Sequence, residues 1–280
     1  MQKKVLAIND ISCVGRCSLT VALPIISSVG LECSILPTAI LSTHTGGFTG
    51  YTFLDFTEEM KKVSNHWLSL NRQYDSIYTG FLGSSNQVEV VKDIVTKFKT
   101  DNNIVIVDPA MADNGKLYSI FDNEFPNEMK KLCLVGDVII PNITEACLLT
   151  NYPFVQDHHT EEYINGLIKA LVDQGMKNIV LTGVSKEEGK IGAVCYNKDT
   201  NKMFFYDREV IPGYFHGTGD VFASVFTSSL IKGKTLEEST QIAVDVTVAS
   251  IIATTKYENI DIKYGVCFEE VLPLLIDKVK

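Results

Sequence analysis

The sequence predicts a doubly wound α/β fold: a mostly parallel sheet flanked by helices, with a short antiparallel hairpin at one edge. Three observations carry this expectation. Short β-rich runs alternate with longer stretches of helical spacing, polar residues follow each run directly, and near residue 200 two β-runs succeed each other without a helix between them.

Taken in order, the strand candidates are residues 5–8, 33–36, 76–78, 104–107, 138–140 and 179–181. Between them lie segments long enough for helical crossovers. Val88, Val91, Val95 and Phe98 recur near helical spacing within 85–100, and Tyr163, Leu167, Ala170 and Leu171 do so within 161–174. Residues 191–196 and 203–206 are separated by a polar stretch and read as an antiparallel edge hairpin. Three helices are expected to follow, near 218–232, 236–256 and 267–279. No repeat, low-complexity stretch or Pro/Gly/Ser linker interrupts residues 1–280, so one domain is expected.

Composition narrows the function classes. With 25 basic against 34 acidic residues the formal charge is −9, and no Lys/Arg run or basic stripe is present, which disfavours nucleic-acid and anionic-membrane partners. The chain enters an apolar strand at once and has no apolar run of about 18 residues, so a cytoplasmic protein is expected. Seven cysteines without a C-x-x-C pair read as reduced core residues. His158-His159, in a polar loop, reads as solvated.

In an open parallel sheet, ligands bind beyond the carboxyl ends of the strands. The residues there are Asn9-Asp10, Thr79-Gly80, Asp108-Pro109, Pro141-Asn142 and Thr182-Gly183. The most informative segment is Gly217-Thr218-Gly219-Asp220, which opens a helix. Its glycines permit a sharp turn and close approach of a ligand, and the unpaired amides of a first helical turn favour an anion. That suits a transferring phosphoryl group, with Asp220 placed to accept the proton of an attacking hydroxyl. The helix N-terminus is expected to lower the Asp220 pKa. Asn142 and Glu145 have capping-box spacing, and Glu145 with Asp108 also suits Mg²⁺ held through waters. Lys232-Gly233-Lys234-Thr235 resembles part of a Walker loop but ends a helix instead of following a strand, and no G-x-G-x-x-G follows the first strand.

These residues are where the chain resembles the ribokinase-like superfamily and, within it, the pyridoxal (vitamin B6) kinases. Gly217 to Asp220 resemble the superfamily's anion hole and catalytic base. Residues 108–113 are similar to its Asp-Pro-Val-Met-Gly-Asp segment near the phosphates, and Asn142 to Glu145 to its Asn-x-x-Glu metal motif. The B6 likeness rests on Ser42-Thr43-His44-Thr45-Gly46 and on Thr79-Gly80-Phe81-Leu82-Gly83-Ser84, where Phe81 replaces a pocket tyrosine.

The resemblance implies ATP-dependent phosphorylation of the 5′-hydroxymethyl group of pyridoxal, pyridoxine or pyridoxamine. It implies ATP and Mg²⁺ as cofactors, a monovalent cation such as K⁺, and a homodimer. Asp10, Ser12, His44, Thr45, Gly46 and Phe81 would meet the vitamer; Asp108, Asn142, Glu145, Thr182, Gly183 and Arg208 would meet ATP. One departure stands out. Asn9-Asp10-Ile11 occupies the place of the usual Gln-Ser-His, and Asp10-x-Ser12 resembles the hydroxymethylpyrimidine kinases of thiamin synthesis, although those carry cysteine where Asp220 stands. A non-catalytic pyridoxal phosphate carrier is the reading from another class.

Overall fold

The computed structural model describes residues 2–280. Its chain begins with β1 (Lys4–Val14), α1 (Leu19–Ser28), β2 (Glu32–Thr43), β3 (Phe53–Asp55), α2 (Thr57–Ser69), β4 (Ser76–Thr79), α3 (Ser85–Phe98) and β5 (Ile104–Val107). A small ribbon follows, β6 (Ala112–Asp113) with β7 (Lys116–Leu117), then α4 (Phe125–Cys133), β8 (Val138–Ile139), α5 (Ile143–Thr150) and α6 (Glu161–Asp173). The last part comprises β9 (Asn178–Val184), β10 (Lys190–Asn197), β11 (Lys202–Glu209), α7 (Thr218–Ile231), α8 (Leu236–Thr255) and α9 (Leu272–Val279).

The main sheet has nine strands in the order β11-β10-β9-β8-β5-β4-β1-β2-β3. Pairing is parallel from β2 to β9 and antiparallel at both edges, where β3 joins β2 and the β10–β11 hairpin joins β9. The chain winds outward from β1 to β2, then returns to place β4 on the other side of β1. That reversal is the topological switch, and the ends of β1 and β4 are where a ligand crevice forms.

Strand alternation feeds two apolar layers. Leu6, Ile8, Ile77, Val105 and Val107 pack with α2 to α6, whereas Val5, Ala7, Tyr78 and Ile106 pack with α1, α7, α8 and α9. Each fully buried Leu or Ile on these faces contributes roughly 1.5–3 kcal/mol of transfer free energy.

The first strand is longer than its apolar run suggested. Hydrogen bonding with β2 continues to Val14↔Thr43, so Asn9 and Asp10 lie within β1 and not in a loop after it. Pairing with β4, however, stops at Ile8↔Thr79, which leaves Asn9 and Asp10 beyond the ladder on the crevice side. The β1–β2 register slips between Asn9 and Ile11, directly after the partner Pro37. Proline has no N–H to give the ladder, which accounts for a slip at that point.

Two further expectations are corrected. β9 runs to Val184, with Gly183 bulged out at φ 73° where the register against β10 slips. His159 is only 1% exposed: Ser185 N–H donates to its Nδ1 at 3.0 Å, so Nε2–H donates to the Val155 carbonyl at 3.0 Å. The seven cysteines are free thiols, Cys13 exposed and Cys33 half-buried. No helix among the described residues is long and apolar enough to cross a membrane.

Candidate active site

The start of α7 is built around Gly217. Its backbone is left-handed, φ 75° and ψ 0°, and a Cβ there would sit 2.1 Å from the Arg16 carbonyl oxygen. Glycine is therefore required on both conformational and steric grounds. Nothing lies within 4 Å of the place a Cβ would take on Gly219. The free first-turn amides of α7 thus border open space, the arrangement an anion needs.

Asp220 sits in that first turn. Burial pushes its carboxyl up to about 7, and neighbouring Asp10 pushes the same way; the Ser18 backbone and the Asn9 side chain pull downward. The sequence had led us to expect a helix N-terminus to hold this group low. Desolvation wins, and the result is a carboxylate whose basicity suits proton abstraction near neutral pH. Asp10, 4% exposed, is raised to about 6 by burial, opposed by hydrogen bonds from the Ser18 and Ser12 side chains. Ser12 Oγ donates to Asp10 Oδ2 at 3.1 Å.

Asn9 and Ser18 were not singled out as site residues from sequence. Asn9 Oδ1 accepts from Asp10 N–H at 2.9 Å and Phe81 N–H at 2.8 Å, so it ties β1 to the turn after β4. Its Nδ2 is buried without a well-formed hydrogen bond, although the amide still favours the charged form of Asp220. Ser18 holds the N-cap position of α1 yet makes no side-chain cap bond, and its φ 58°, ψ −133° backbone is rare for an L-residue. Its hydroxyl serves Asp10 and its backbone serves Asp220. The available signal was a serine before an apolar helical run, which reads as an ordinary cap.

On the other side of the crevice, Glu145 closes the capping box at the start of α5. Asn142 N–H donates to Oε2 at 2.9 Å, and Glu145 N–H donates to Asn142 Oδ1 at 2.9 Å. Met111 N–H also donates to Glu145 Oε1, at 3.0 Å. One buried side chain therefore ties the loop after β5 to the loop after β8. Burial pushes its carboxyl up to about 7, against those backbone bonds. Asp108 stands at the end of β5 and is raised well above the usual range by burial, then by Glu145 and Asp220. Oxygen-only donors of this kind fit a hard divalent cation; Glu145 is buried and each of its oxygens already accepts a protein N–H, so contact through water suits it better than direct ligation.

The remaining expected residues fall into two groups. Thr182 lies beside Asn142 through a parallel bridge, and the space over Gly183 is open. Arg208 lies on β11, where its guanidinium pairs with Asp245 at 2.6 Å and covers the Tyr206 ring at 4.4 Å. Those bonds anchor the edge hairpin to α8. His44 is 8% exposed, and Gly46 N–H donates to its Nδ1 at 3.2 Å, leaving Nε2–H to donate to the Lys263 carbonyl at 2.6 Å. Thr45 and Gly46 are half-buried next to it, and Phe81 is half-buried with its ring 5.9 Å from Phe121. The structure therefore gathers Asp10, Ser12, Asp108, Glu145 and Asp220 at one sheet edge, where Ser12 bonds to Asp10 and the carboxylates raise one another's titration.

Comparison with known proteins shows which family the chain is similar to. The family model described as phosphomethylpyrimidine kinase matches residues 25–264. A Bacteroides thetaiotaomicron structure described as a "putative phosphomethylpyrimidine kinase", in a form with pyridoxal, is 39% identical; it covers 98% of this chain and 96% of its own, with a TM-score of 0.92. Pyridoxal kinase from Lactobacillus plantarum is 27% identical, covers 99% and 98% of the two chains, and has a TM-score of 0.90. A Schizosaccharomyces pombe protein described as a "putative pyridoxal kinase" is 30% identical over 69% of this chain, a match that spans 58% of that protein's length.

Proposed function

We propose that this chain, which belongs to the phosphomethylpyrimidine kinase family and has the ribokinase-like fold, is an ATP-dependent kinase that phosphorylates the 5′-hydroxymethyl group of pyridoxal, pyridoxine or pyridoxamine. The observation that carries the reading is the convergence of Asp220, at an open helix N-terminus, with the buried Asp10 at the topological switch of the sheet. The pyridoxal-bound relative, 39% identical over nearly the whole chain, points to the same substrate class.

Asp220 accepts the proton of the attacking hydroxyl, and the amides of Gly217 to Gly219 stabilise the charge of the transferring phosphoryl group. Asp108, and Glu145 through water, would hold Mg²⁺, which when bound offsets phosphate charge. Glu145 also fixes the loop after β5, so a metal role and a capping role share one side chain. Thr182, Gly183 and Arg208 are proposed to flank ATP. His44, Thr45, Gly46 and Phe81 are proposed to border the vitamer ring, with Asp10 and Ser12 beneath it. A carboxylate at Asp10 favours a protonated ring nitrogen or the amine of pyridoxamine. A homodimer, a cytoplasmic location, a single domain and a monovalent cation such as K⁺ belong to the same proposal.

The test is product identity. The protein is incubated with ATP, Mg²⁺ and each vitamer or hydroxymethylpyrimidine, and products are read by mass spectrometry. Phosphorylated vitamers are expected. Phosphorylation of hydroxymethylpyrimidine alone would move the chain to thiamin synthesis, and vitamer binding without ATP consumption would make it a carrier.

A further inference from the structure

The segment between β2 and β3 carries His44 to Gly46, and the segment just ahead of α7 carries Tyr214 and His216. The two are in direct steric contact. A Cβ on Gly46 would lie 2.8 Å from Cε1 and 3.0 Å from Nδ1 of His216. Gly46 does not have a left-handed backbone, so it is the imidazole, and not φ, that excludes a side chain there. The His44 and His216 rings lie 5.0 Å apart, and the His44–Gly46 and His44–Lys263 hydrogen bonds hold the near side of the contact. On the far side the Tyr214 ring meets His216 edge-on at 5.0 Å, and its hydroxyl donates to Asp113 Oδ2 at 2.6 Å. Asp113 ends β6, one residue beyond Ala112, whose N–H faces Glu145.

His216 is one peptide bond from Gly217. It therefore stands between the segment proposed to meet the vitamer, the loop proposed to lie near the phosphates, and the amides proposed to hold the transferring group. We propose that His216 is a positioning residue, an interlock that sets the distance between Gly46 and the α7 amides so that the acceptor hydroxyl arrives in line with Asp220. The role rests on the kinase reading. It requires no charge on the imidazole, only its bulk against a glycine that lacks a side chain.

An interlock has a signature that two independent contacts lack. His216→Ala should lower kcat/KM for pyridoxal about tenfold or more, since small misplacements of a reacting group are expensive, while KM for ATP changes less than about twofold. Gly46→Ala should do the same by collision with the ring. The double variant G46A/H216A should be no worse than H216A alone, because the methyl group occupies the space vacated. His216→Phe keeps a ring in place and should retain most of the activity. The same cycle is read in pyridoxal affinity by fluorescence titration, which needs no turnover. Multiplying losses in the double variant, equal losses in H216F and H216A, or variants altered only in melting temperature would overturn the interlock. Absence of wild-type turnover alongside an intact affinity cycle would count against the kinase reading alone.

Discussion

At the amino-terminal edge of the sheet, Asp137 lies just before β8 with Lys177 Nζ at 2.8 Å, Lys99 Nζ at 3.0 Å and the Val105 N–H at 3.0 Å from its oxygens. Burial alone would raise its pKa, but Lys177, the Val105 N–H and Lys99 together hold it below the usual carboxylate range. At the carboxyl-terminal edge, Asp10, Asp108, Glu145 and Asp220 have no lysine or arginine among the main influences on their titration, and all four are raised. The same kind of side chain is neutralised internally at one end and left uncompensated at the other. A fold that leaves four carboxylates in this state gains nothing from it in stability. On the kinase reading the uncompensated end would meet a cation and a substrate, whereas the compensated end serves the fold.

The largest expected effect is at the uncompensated end. Asp220→Asn should cut kcat by about 10² or more with ATP affinity largely intact, since general-base help is worth roughly 10² to 10⁴. Its effect on stability has the opposite sign. Folding raises the Asp220 pKa to about 7, so between the ordinary carboxylate range and pH 7 the native state binds more protons than the unfolded one. Its carboxylate therefore lowers stability progressively as pH rises through that window, and D220N should melt above wild type at pH 8 but not near pH 4. Melting curves at the two pH values check this; a lower melting temperature for D220N at pH 8 would contradict the comparison.

Asp137→Ala should behave conversely. It should cost about 1–2 kcal/mol at pH 7, as a partly exposed charge network is broken, and leave kcat unchanged. Because the folded pKa of Asp137 is lowered, its contribution is present above the unfolded pKa and is lost as pH falls through the folded value. The penalty should therefore shrink in acid, as urea titrations at pH 7 and pH 3 would show.

The contrast also marks what was legible in the sequence. The six parallel strands, the hairpin at one edge and the α7 start could be read from periodicity and glycines, because those signals are local; the antiparallel β3 at the other edge and the β6–β7 ribbon were not. The helices at 161–173 and 218–231 end within a residue of their expected limits. The true length of β1 was not legible, since its continuation depends on β2 and on the slip after Pro37. Nor was the pKa of Asp220, which the local helix end would lower and which desolvation by distant segments raises. Ser18 and His216 escaped notice for the same reason: a serine before a helix and a histidine before a glycine acquire their meaning only when Asp10 and Gly46 fold against them.

Smaller effects sharpen the map of the uncompensated end. Thr45→Ala should raise KM for the vitamer by roughly three- to tenfold, the value of one neutral hydrogen bond, without altering KM for ATP. Asp10→Ser should change the ratio of kcat/KM among pyridoxal, pyridoxine and pyridoxamine, because a charged contact is lost for any protonated ring or amine. Unchanged ratios with an altered ATP KM would misplace the pocket. The smallest change is Glu145→Gln. Both carboxylate oxygens accept backbone N–H groups, so a Gln amide nitrogen must face a donor, and a drop of a few degrees in melting temperature should accompany a raised Mg²⁺ requirement.

The most direct test of the central claim is the pH dependence of kcat/KM for pyridoxal, measured at low ATP in wild type and D220N. Uncompensated carboxylates acting in the transfer predict a wild-type rate that falls about tenfold per pH unit below an apparent pKa near 7, and a D220N rate at least about 10²-fold lower at pH 8. A wild-type rate that is flat from pH 5.5 to 8, or a D220N rate close to wild type, would contradict it.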